Sequence, residues 1–218
     1  VNATIAACRS MGVHIEKNNE SLIIHGNKLA RISGDNIELN FGNSGTSMRL
    51  MMGILSAQNI SSVLVGDESL NKRPMDRISK PLIKMNADIK TSNNTPPVFI
   101  NPIKKIINVD HYEEIASAQI KSSILLAGLY GDDELSITTP PSRDHTEIML
   151  REFKCNISND AHIIKMIPSR LQSPGIVQIP GDLSSAAFFI VGAILAEDSE
   201  VTIKNVGLNP LRTGFIEI

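Results

Sequence analysis

The sequence predicts a mixed α/β (α+β) protein in which one small supersecondary unit is repeated, with helices in the core and strands outside. Two series of positions carry this prediction. Polar caps precede apolar helices near Ser44, Ser117 and Ser184. Loop arginines follow at Arg73, Arg143 and Arg212. Both series advance by about 70 residues, which is longer than the roughly 20–50 residues of common solenoid repeats. Each unit is therefore expected to be a small α/β module.

Short apolar runs predict the strands of each unit. Three of them directly follow the capped helices, at residues 62–65, 135–138 and 201–203. Three pairs of runs predict hairpins, at residues 13–15 with 22–24, 87–89 with 97–99, and 155–157 with 163–164. Alternating or continuous apolar runs of this length, bounded by turn residues, are typical of strands. We expect each hairpin to follow an amphipathic helix.

The helices fall into two classes. The first helix of each unit is apolar nearly all round, most clearly at residues 186–191, and such a helix is expected to be buried on every side. The second helix is amphipathic. In the central unit its apolar stripe consists of Met75, Ile78, Leu82 and Met85. Pro81 lies within this stripe and is expected to kink or reset the helix.

Composition excludes several functional classes. The chain has 218 residues and a formal charge of −2, with 4% aromatic residues and no Trp, so it is not expected to bind nucleic acid or anionic membranes generally. Its most apolar run, residues 186–196, is about half of the roughly 20 residues that a membrane span needs.

Cys8 and Cys155 are far apart and form no ligand motif, which predicts two free thiols and a cytoplasmic location.

The beginning and end of the sequence predict a fragment. Val1 stands where a start Met is expected, and residues 4–11 already have the pattern of a helix. The last six residues resemble the opening of another helix. We therefore expect the chain to be part of a longer polypeptide.

Two segments predict an anion site. Residues 42–49 are small and polar and lead directly into an apolar helix, which keeps the backbone N–H groups of the helix start accessible. Residues 66–75 place Arg73 just before a proline that can open the next helix. Simple helix capping by Ser44 remains open as an alternative. The Gly-Lys-Ser/Thr of a P-loop is missing, and the glycine spacing does not fit a dinucleotide fingerprint.

The later helix starts offer further candidates. Ser117, Ala118 and Gln119 open the second apolar helix. Either they only cap it, or their hydroxyl and N–H groups bind phosphate, with Gln119 as an adaptable polar contact. Asp182 caps the third apolar helix, and a structural role is favoured there because a carboxylate near a helix N-terminus is stabilising.

The segment at residues 142–147 combines a cap pattern with a cation. Ser142 and Arg143 precede Asp144 and Glu147, which have the spacing of a capping box. His145 and Glu147 together supply too few ligands for a metal ion. We therefore predict no metal site in this segment and retain Arg143 as the functional residue.

Taken together, these segments resemble the 5-enolpyruvylshikimate-3-phosphate synthase (EPSP synthase) family. The resemblance extends over the whole chain, in the order of the family, through residues 42–49, 66–75, 117–122, 142–147, 181–187 and 205–214. It implies two lobes, each made of βαβαββ units with buried helices and outer sheets. By this comparison residues 1–181 form most of one substrate-binding lobe, with its first unit truncated, and residues 182–218 form the crossover and the start of the second lobe.

The resemblance also implies an activity of the shikimate pathway. The enolpyruvyl group of phosphoenolpyruvate moves to the 5-hydroxyl of shikimate 3-phosphate, and phosphate leaves. It implies no metal or organic cofactor, a monomer at full length, and glyphosate as an inhibitor that Gly45 leaves room for. The lysine and acidic residues that handle protons belong to the second lobe of the family. We therefore expect no catalytic residue in this chain, and no activity from the chain alone.

Residue roles follow from the matching motifs. The resemblance implies that phosphoenolpyruvate binds to Asn43, Gly45, Thr46, Arg73 and Gln119. It implies that shikimate 3-phosphate binds to Ser117, Ala118, Gln119, Ser142 and Arg143. Arg49 and Asp182 lie, by analogy with the family, near the crossover between the lobes and are expected to pair when the lobes close.

Two other functions remain open at this point. The related enolpyruvyl transferase that acts on UDP-N-acetylglucosamine usually carries a reactive Cys in the loop before its Arg-Pro, and residues 68–72 contain none. The segment at 142–145 also favours the shikimate enzyme. The second alternative is a non-catalytic module that binds a phosphorylated metabolite.

Overall fold

Two four-stranded sheets with the same strand order organise the protein. The computed structural model describes residues 1–18, 21–26, 32, 34, 36–160 and 162–216. The strands of the first sheet are β3 (Ile37–Asn40), β4 (Ser62–Val65), β5 (Asp88–Ser92) and β6 (Thr95–Asn101). Those of the second are β7 (Asp110–Tyr112), β8 (Leu135–Thr138), β9 (Asn156–Asp160) and β10 (Ile163–Ile167). The orders are β3-β4-β6-β5 and β7-β8-β10-β9, so each sheet has one parallel pair followed by two antiparallel pairs.

The helices complete two βαβαββ units. In the first unit, α2 (Gly45–Leu55) follows β3 and α3 (Asp76–Lys84) follows β4. In the second, α4 (Ala118–Gly128) follows β7 and α5 (His145–Glu152) follows β8. The repeat predicted from the caps and the loop arginines is thus confirmed. The two units have the same fold because their strands have the same order and the same directions.

A helix and a hairpin precede the first complete unit. The helix is α1 (Asn2–Ser10), and the hairpin joins β1 (His14–Lys17) to β2 (Leu22–His25). This is the order in which each later unit ends, with a helix followed by an antiparallel pair. All three predicted hairpins are confirmed.

The core is one cluster of buried side chains that come from the helices and from both four-stranded sheets. The predicted stripe of α3 is fully buried at Met75, Ile78, Leu82 and Met85, and the helix continues through Pro81. The expected reset at Pro81 is wrong, whereas the alternative of a kink stays a prediction. The helix can continue because the carbonyl that loses its partner belongs to the exposed Arg77, where water can replace the bond. Helices α2 and α4 are buried over most of their circumference, as predicted.

Helices α2 and α4 approach each other closely at Gly53. A Cβ atom added to Gly53 would lie 2.1 Å from the carbonyl oxygen of Ser123 and 2.8 Å from its Oγ. The Ser123 hydroxyl also donates a 2.9 Å hydrogen bond to the carbonyl oxygen of Arg49. The two helix backbones are therefore in contact through a residue that has no side chain, and this contact sets how closely the two helices pack.

The prediction of a third helix buried on every side is wrong. Helix α6 (Leu183–Leu195) buries only Leu183 and Ala186, whereas Phe188 is 81% exposed and Ile194 is 76% exposed. The predicted strand at residues 201–203 is also not formed. Among the described residues no strand follows β10, so no sheet covers α6 there and residues 201–203 have no neighbouring strand to pair with.

The remaining sequence expectations concern the cysteines and membranes. Cys8 and Cys155 are both free, as predicted, and burial raises the pKa of each thiol. Within the ranges that the structure describes, no helix has both the length and the apolar character needed to cross a bilayer.

We predict that Gly53→Ala destabilises the protein by about 3 kcal/mol or more, because the new methyl group overlaps the Ser123 carbonyl and forces the two helices apart. Urea unfolding followed by far-UV circular dichroism measures this. The control is Gly192→Ala in α6, where an added Cβ meets no atom within 4 Å and stability should rise by up to about 1 kcal/mol or stay unchanged. Equal midpoints for the two variants would contradict the close approach.

Candidate functional site

Two helix starts face the same region of the molecule. Ser44 caps α2 and accepts a hydrogen bond from the Ser47 N–H, while Ser117 caps α4 and accepts one from the Ile120 N–H. The first-turn N–H groups of a helix have no partner inside it, and the helix dipole places partial positive charge there. Because α2 and α4 are in contact, both positive ends contribute to one field. Both caps were predicted from the sequence.

Arg73 is held over the start of α2 by a chain of polar side chains. Its Nη2 donates to Asn43 Oδ1 at 2.5 Å, and Asn43 Nδ2 donates to Asp67 Oδ2 at 2.8 Å. Asp67 in turn accepts from the Leu70 N–H at 2.8 Å. The hydrogen bonds from Leu70 and Asn43 and the nearby charge of Arg73 lower the pKa of Asp67, so this anchor remains a carboxylate.

Gly45 allows this arrangement because it has no side chain. An added Cβ would lie 3.2 Å from Arg73 Nη1, 3.4 Å from Leu70 Cδ1 and 3.8 Å from Arg49 Nη1. The two guanidinium groups therefore flank the first residue of α2. Any larger residue at this position would compete with them for space. The room for a ligand that the resemblance implies beside Gly45 stays a prediction.

Gln119 connects the two helix starts. Its Oε1 accepts a 2.7 Å hydrogen bond from Arg49 Nη1, and its Nε2 donates a 2.8 Å hydrogen bond to Thr46 Oγ1. Arg49 also donates to the carbonyl oxygen of Pro74 at 3.3 Å. One amide from α4 is thus bonded to two residues of α2. Thr46, Gln119 and Arg49 were each singled out from the sequence, but their direct contacts were not predicted.

The electrostatics of this cluster favour an anion. Burial lowers the pKa of Arg49, and the charges of Arg73 and Arg77 lower it further. The charges of Arg73 and Arg77 thus repel the Arg49 guanidinium. The hydrogen-bond partners of Arg49 and Arg73 are neutral amides, a hydroxyl and a carbonyl oxygen. A bound phosphate or carboxylate would relieve the repulsion and could accept bidentate hydrogen bonds.

A second part of the site lies beyond Gln119. A pocket of about 140 Å³ is lined by Thr46, Leu50, Ala118, Gln119, Ser122, Arg143, His145 and Thr146. Arg143 is exposed, and within the described part of the chain no hydrogen bond or ion pair engages its guanidinium. Ser142 carries a buried hydroxyl that finds no hydrogen-bond partner there either. The Arg143 guanidinium is therefore available to a ligand anion, whereas Ser142 lines a neighbouring cavity together with Lys121.

The segment after Arg143 is not organised as a capping box, and that prediction is wrong. Asp144 makes no side-chain cap and instead accepts from Asn209 Nδ2 at 2.7 Å. Glu147 is buried and forms a 2.5 Å ion pair with Lys121 of α4, which is equally buried. The Glu147 carboxylate is thus paired with Lys121 and does not cap the start of α5. A lysine in a helix that is expected to be buried was the signal, since lysine is almost never fully buried without a partner.

Arg49 and Asp182 have separate partners in this structure. Asp182 caps α6, accepting from the Ser184 N–H at 3.1 Å, and its Oδ1 lies 3.3 Å from Arg212 Nη1. Arg212 also donates to the hydroxyl of Ser184. The Ser184 hydrogen bond and the charge of Arg212 lower the pKa of Asp182. Pairing of Arg49 with Asp182 therefore stays a prediction about a closed form.

Comparison with known proteins gives one consistent family. The family model described as EPSP synthase (3-phosphoshikimate 1-carboxyvinyltransferase) matches residues 1–218. The 3-phosphoshikimate 1-carboxyvinyltransferase of Legionella pneumophila (strain Lens) is 49% identical over 99% of this chain. That of Endomicrobium trichonymphae is 42% identical over the whole chain. The solved structure of EPSP synthase from Acinetobacter baumannii matches all of this chain with a TM-score of 0.86 and 46% identity.

The extent of these matches is informative. The chain covers 50% of the Legionella protein, 51% of the Endomicrobium protein and 50% of the Acinetobacter structure. It therefore spans about half the length of the relatives that it matches. The mixed α/β fold described above corresponds to one lobe of the two-lobed fold.

We predict that Lys121→Met destabilises the protein by about 3–5 kcal/mol, because it leaves the buried Glu147 carboxylate without its counter-ion. Urea unfolding measures the change. The matched control is Lys80→Met, which breaks an exposed ion pair with Asp76 and should cost less than about 1 kcal/mol.

A double variant separates loss of the ion pair from a general loss of packing. Lys121→Met combined with Glu147→Leu removes both charges and should recover most of the stability. If Lys121→Met alone were as stable as Lys80→Met, the buried pair would have no energetic role.

Proposed function

The chain belongs to the EPSP synthase family, and we propose that it provides the half of an enolpyruvyl transferase site that binds phosphoenolpyruvate and shikimate 3-phosphate. In the proposed reaction the 5-hydroxyl oxygen of shikimate 3-phosphate forms a bond to the enolpyruvyl group, and the bond from that group to phosphate breaks. Inorganic phosphate is the leaving group.

The single observation that carries this proposal is the position of Gln119. It is hydrogen-bonded to Arg49 and Thr46 at the start of α2, and it also lines the pocket that contains Arg143. A ligand on the Arg73 side and a ligand on the Arg143 side would therefore meet at one amide. A two-substrate transfer requires such adjacency.

On the first side, we propose that Arg73 and the start of α2 bind phosphoenolpyruvate. Asn43 orients the Arg73 guanidinium through the 2.5 Å hydrogen bond, and Gly45 leaves the space beside it open. Thr46 and Gln119 supply neutral polar contacts. A rigid guanidinium fork and free N–H groups are suited to an anionic group with several acceptor oxygens.

On the second side, we propose that Arg143 binds the phosphate of shikimate 3-phosphate together with Ser117, Ala118 and Ser142. Ser117 and Ala118 open α4, so the helix dipole favours an anion there. The guanidinium of Arg143 is free of protein partners among the described residues. Its charge would therefore be available to the ligand.

The physical task of this half-site is to bring two anions together. Two negatively charged substrates repel each other, and fixed cations and helix starts offset that repulsion while they orient the reacting groups. We propose that the proton-handling groups belong to the half of the family fold that this chain does not match, and that residues 182–218 lead toward that half. Closure of Asp182 toward Arg49 would then exclude water from the site.

Two observations bear on the remaining alternatives. The loop before Arg73 contains no Cys, which disfavours transfer to a UDP-sugar. A non-catalytic phosphate-binding module would need no amide shared between two ligand sides. We further propose a cytoplasmic location for the whole enzyme, which the two free thiols support.

The binding proposal is tested by isothermal titration of this chain with shikimate 3-phosphate. We expect saturable binding that Arg143→Ala weakens by at least about tenfold, since a charge-assisted hydrogen bond contributes roughly 1.5–3 kcal/mol. The matched control is Arg170→Ala, an exposed arginine outside the site, which should leave affinity unchanged. Tighter binding of UDP-N-acetylglucosamine, or equal loss in both variants, would contradict the proposal.

The activity is tested in a chimera in which this chain replaces the matched half of the Acinetobacter baumannii enzyme. We expect the chimera to release phosphate from phosphoenolpyruvate when shikimate 3-phosphate is also present, and we expect none from the chain alone. Gly45→Ala should raise the KM for phosphoenolpyruvate and the inhibitory concentration of glyphosate by roughly tenfold, because the added Cβ lies 3.2 Å from Arg73 Nη1.

Gly192→Ala is the control in the same chimera, since its added Cβ meets no atom within 4 Å. It should change neither value. If Gly45→Ala left the response to glyphosate unchanged, Gly45 would not border the inhibitor.

A further inference from the structure

The β1–β2 hairpin brings two histidines and a glutamate to one face. His14 lies directly opposite His25 in the antiparallel register. Glu16 is two residues from His14 on the same strand, and side chains two apart in a strand share a face. Ile15, between them, is buried on the opposite face. The three polar side chains therefore point away from the core together.

Their ligand atoms converge on a small volume. His14 Nε2 lies 2.9 Å and His25 Nε2 lies 3.0 Å from the same atom, Glu16 Oε1. One ligand atom from each residue lies within 4.8 Å of the others. The imidazole rings are adjacent, with centroids 4.7 Å apart and planes tilted by 44°. Among the residues that the structure describes, no other three His, Cys, Asp or Glu side chains converge in this way.

From this geometry we propose that His14, Glu16 and His25 form a binding site for a divalent transition-metal ion, of which Zn²⁺ is the expected occupant. Zn²⁺ binds imidazole nitrogen and carboxylate oxygen at about 2.0–2.2 Å in tetrahedral geometry, which places neighbouring ligand atoms roughly 3.3 Å apart. The observed separations of 2.9 and 3.0 Å need only a small outward movement of exposed side chains.

The donor set determines the class of ion. Two imidazoles and one carboxylate suit zinc and its first-row neighbours, whereas Ca²⁺ and Mg²⁺ prefer oxygen ligands. Three protein ligands leave one tetrahedral position for water or for another donor. To bind, each imidazole presents an unprotonated Nε2, with its remaining proton on Nδ1.

The site would join the two paired strands of the β1–β2 hairpin. A metal ion bound to both strands would lock their register at the His14–His25 pair. Among the described residues the side chains of His14, Glu16 and His25 form hydrogen bonds only with one another, so this proposal is independent of the proposed transferase function.

The test is isothermal titration of the tag-free, metal-stripped chain with ZnCl₂ at pH 7.5. We expect one Zn²⁺ per chain. His14→Ala and His25→Ala should each weaken binding by at least about tenfold, since even loss of an outer-shell partner typically costs 10–100-fold. His162→Ala is the matched control, because His162 is an exposed histidine outside the cluster. It should leave affinity within about twofold.

A second readout separates this site from binding at the N-terminus or at Cys8. Co²⁺ substituted for Zn²⁺ should produce the intense visible bands of a tetrahedral complex, and His25→Ala should abolish them while far-UV circular dichroism shows that the chain stays folded. The absence of saturable binding by the unaltered chain would overturn the proposal. So would Zn²⁺ affinity and Co²⁺ spectra that His14→Ala and His25→Ala leave unchanged.

Discussion

The contact between α2 and α4 is the constraint on which the rest of the site depends. Gly53 packs directly against the Ser123 carbonyl, so the two helix axes can approach only at this distance and in this register. With the axes fixed, Ser44 and Ser117 begin their helices side by side, and Gln119 of α4 reaches Arg49 and Thr46 of α2. A buried contact between backbones thus positions polar groups that lie closer to the surface.

The arginines above this contact are held in a state that favours ligand binding. Arg49 and Arg73 flank Gly45, and their partners are mainly neutral: Gln119, a carbonyl oxygen and Asn43. The nearest anchoring carboxylate, Asp67, acts through Asn43 and not directly on Arg73. Direct ion pairs would orient the guanidinium groups but would also neutralise them. Orientation by amides preserves the positive charge. The repulsion between the guanidinium groups is therefore offset only when an anion binds.

Local patterns predicted much of this molecule, and the failures have a common cause. The caps at Ser44 and Ser117, the stripe of α3 and the hairpins depend on neighbouring residues in sequence, and all were found. Glu147 was assigned to a capping box because the spacing fits, but Lys121 lies across the core and forms the stronger interaction. The contact of Arg49 with Gln119 joins helices from different units, and no local pattern contains it. Roles of individual site residues follow only from the resemblance and stay predictions.

The exposure of α6 shows why an apolar helix does not by itself predict burial. Residues 186–191 have the same all-round apolar pattern that correctly predicted burial for α2 and α4. Those two helices are covered by each other and by sheets that the chain itself supplies, whereas Phe188 and Ile194 on α6 stay exposed. An all-round apolar pattern therefore indicates that other elements must cover the helix if it is to be buried. Whether the requirement is met depends on elements elsewhere, and the relatives extend over about twice the length described here. The orientation of Arg49 and Arg73 does not depend on elements outside this chain, because the hydrogen bonds that orient them come from within residues 43–119.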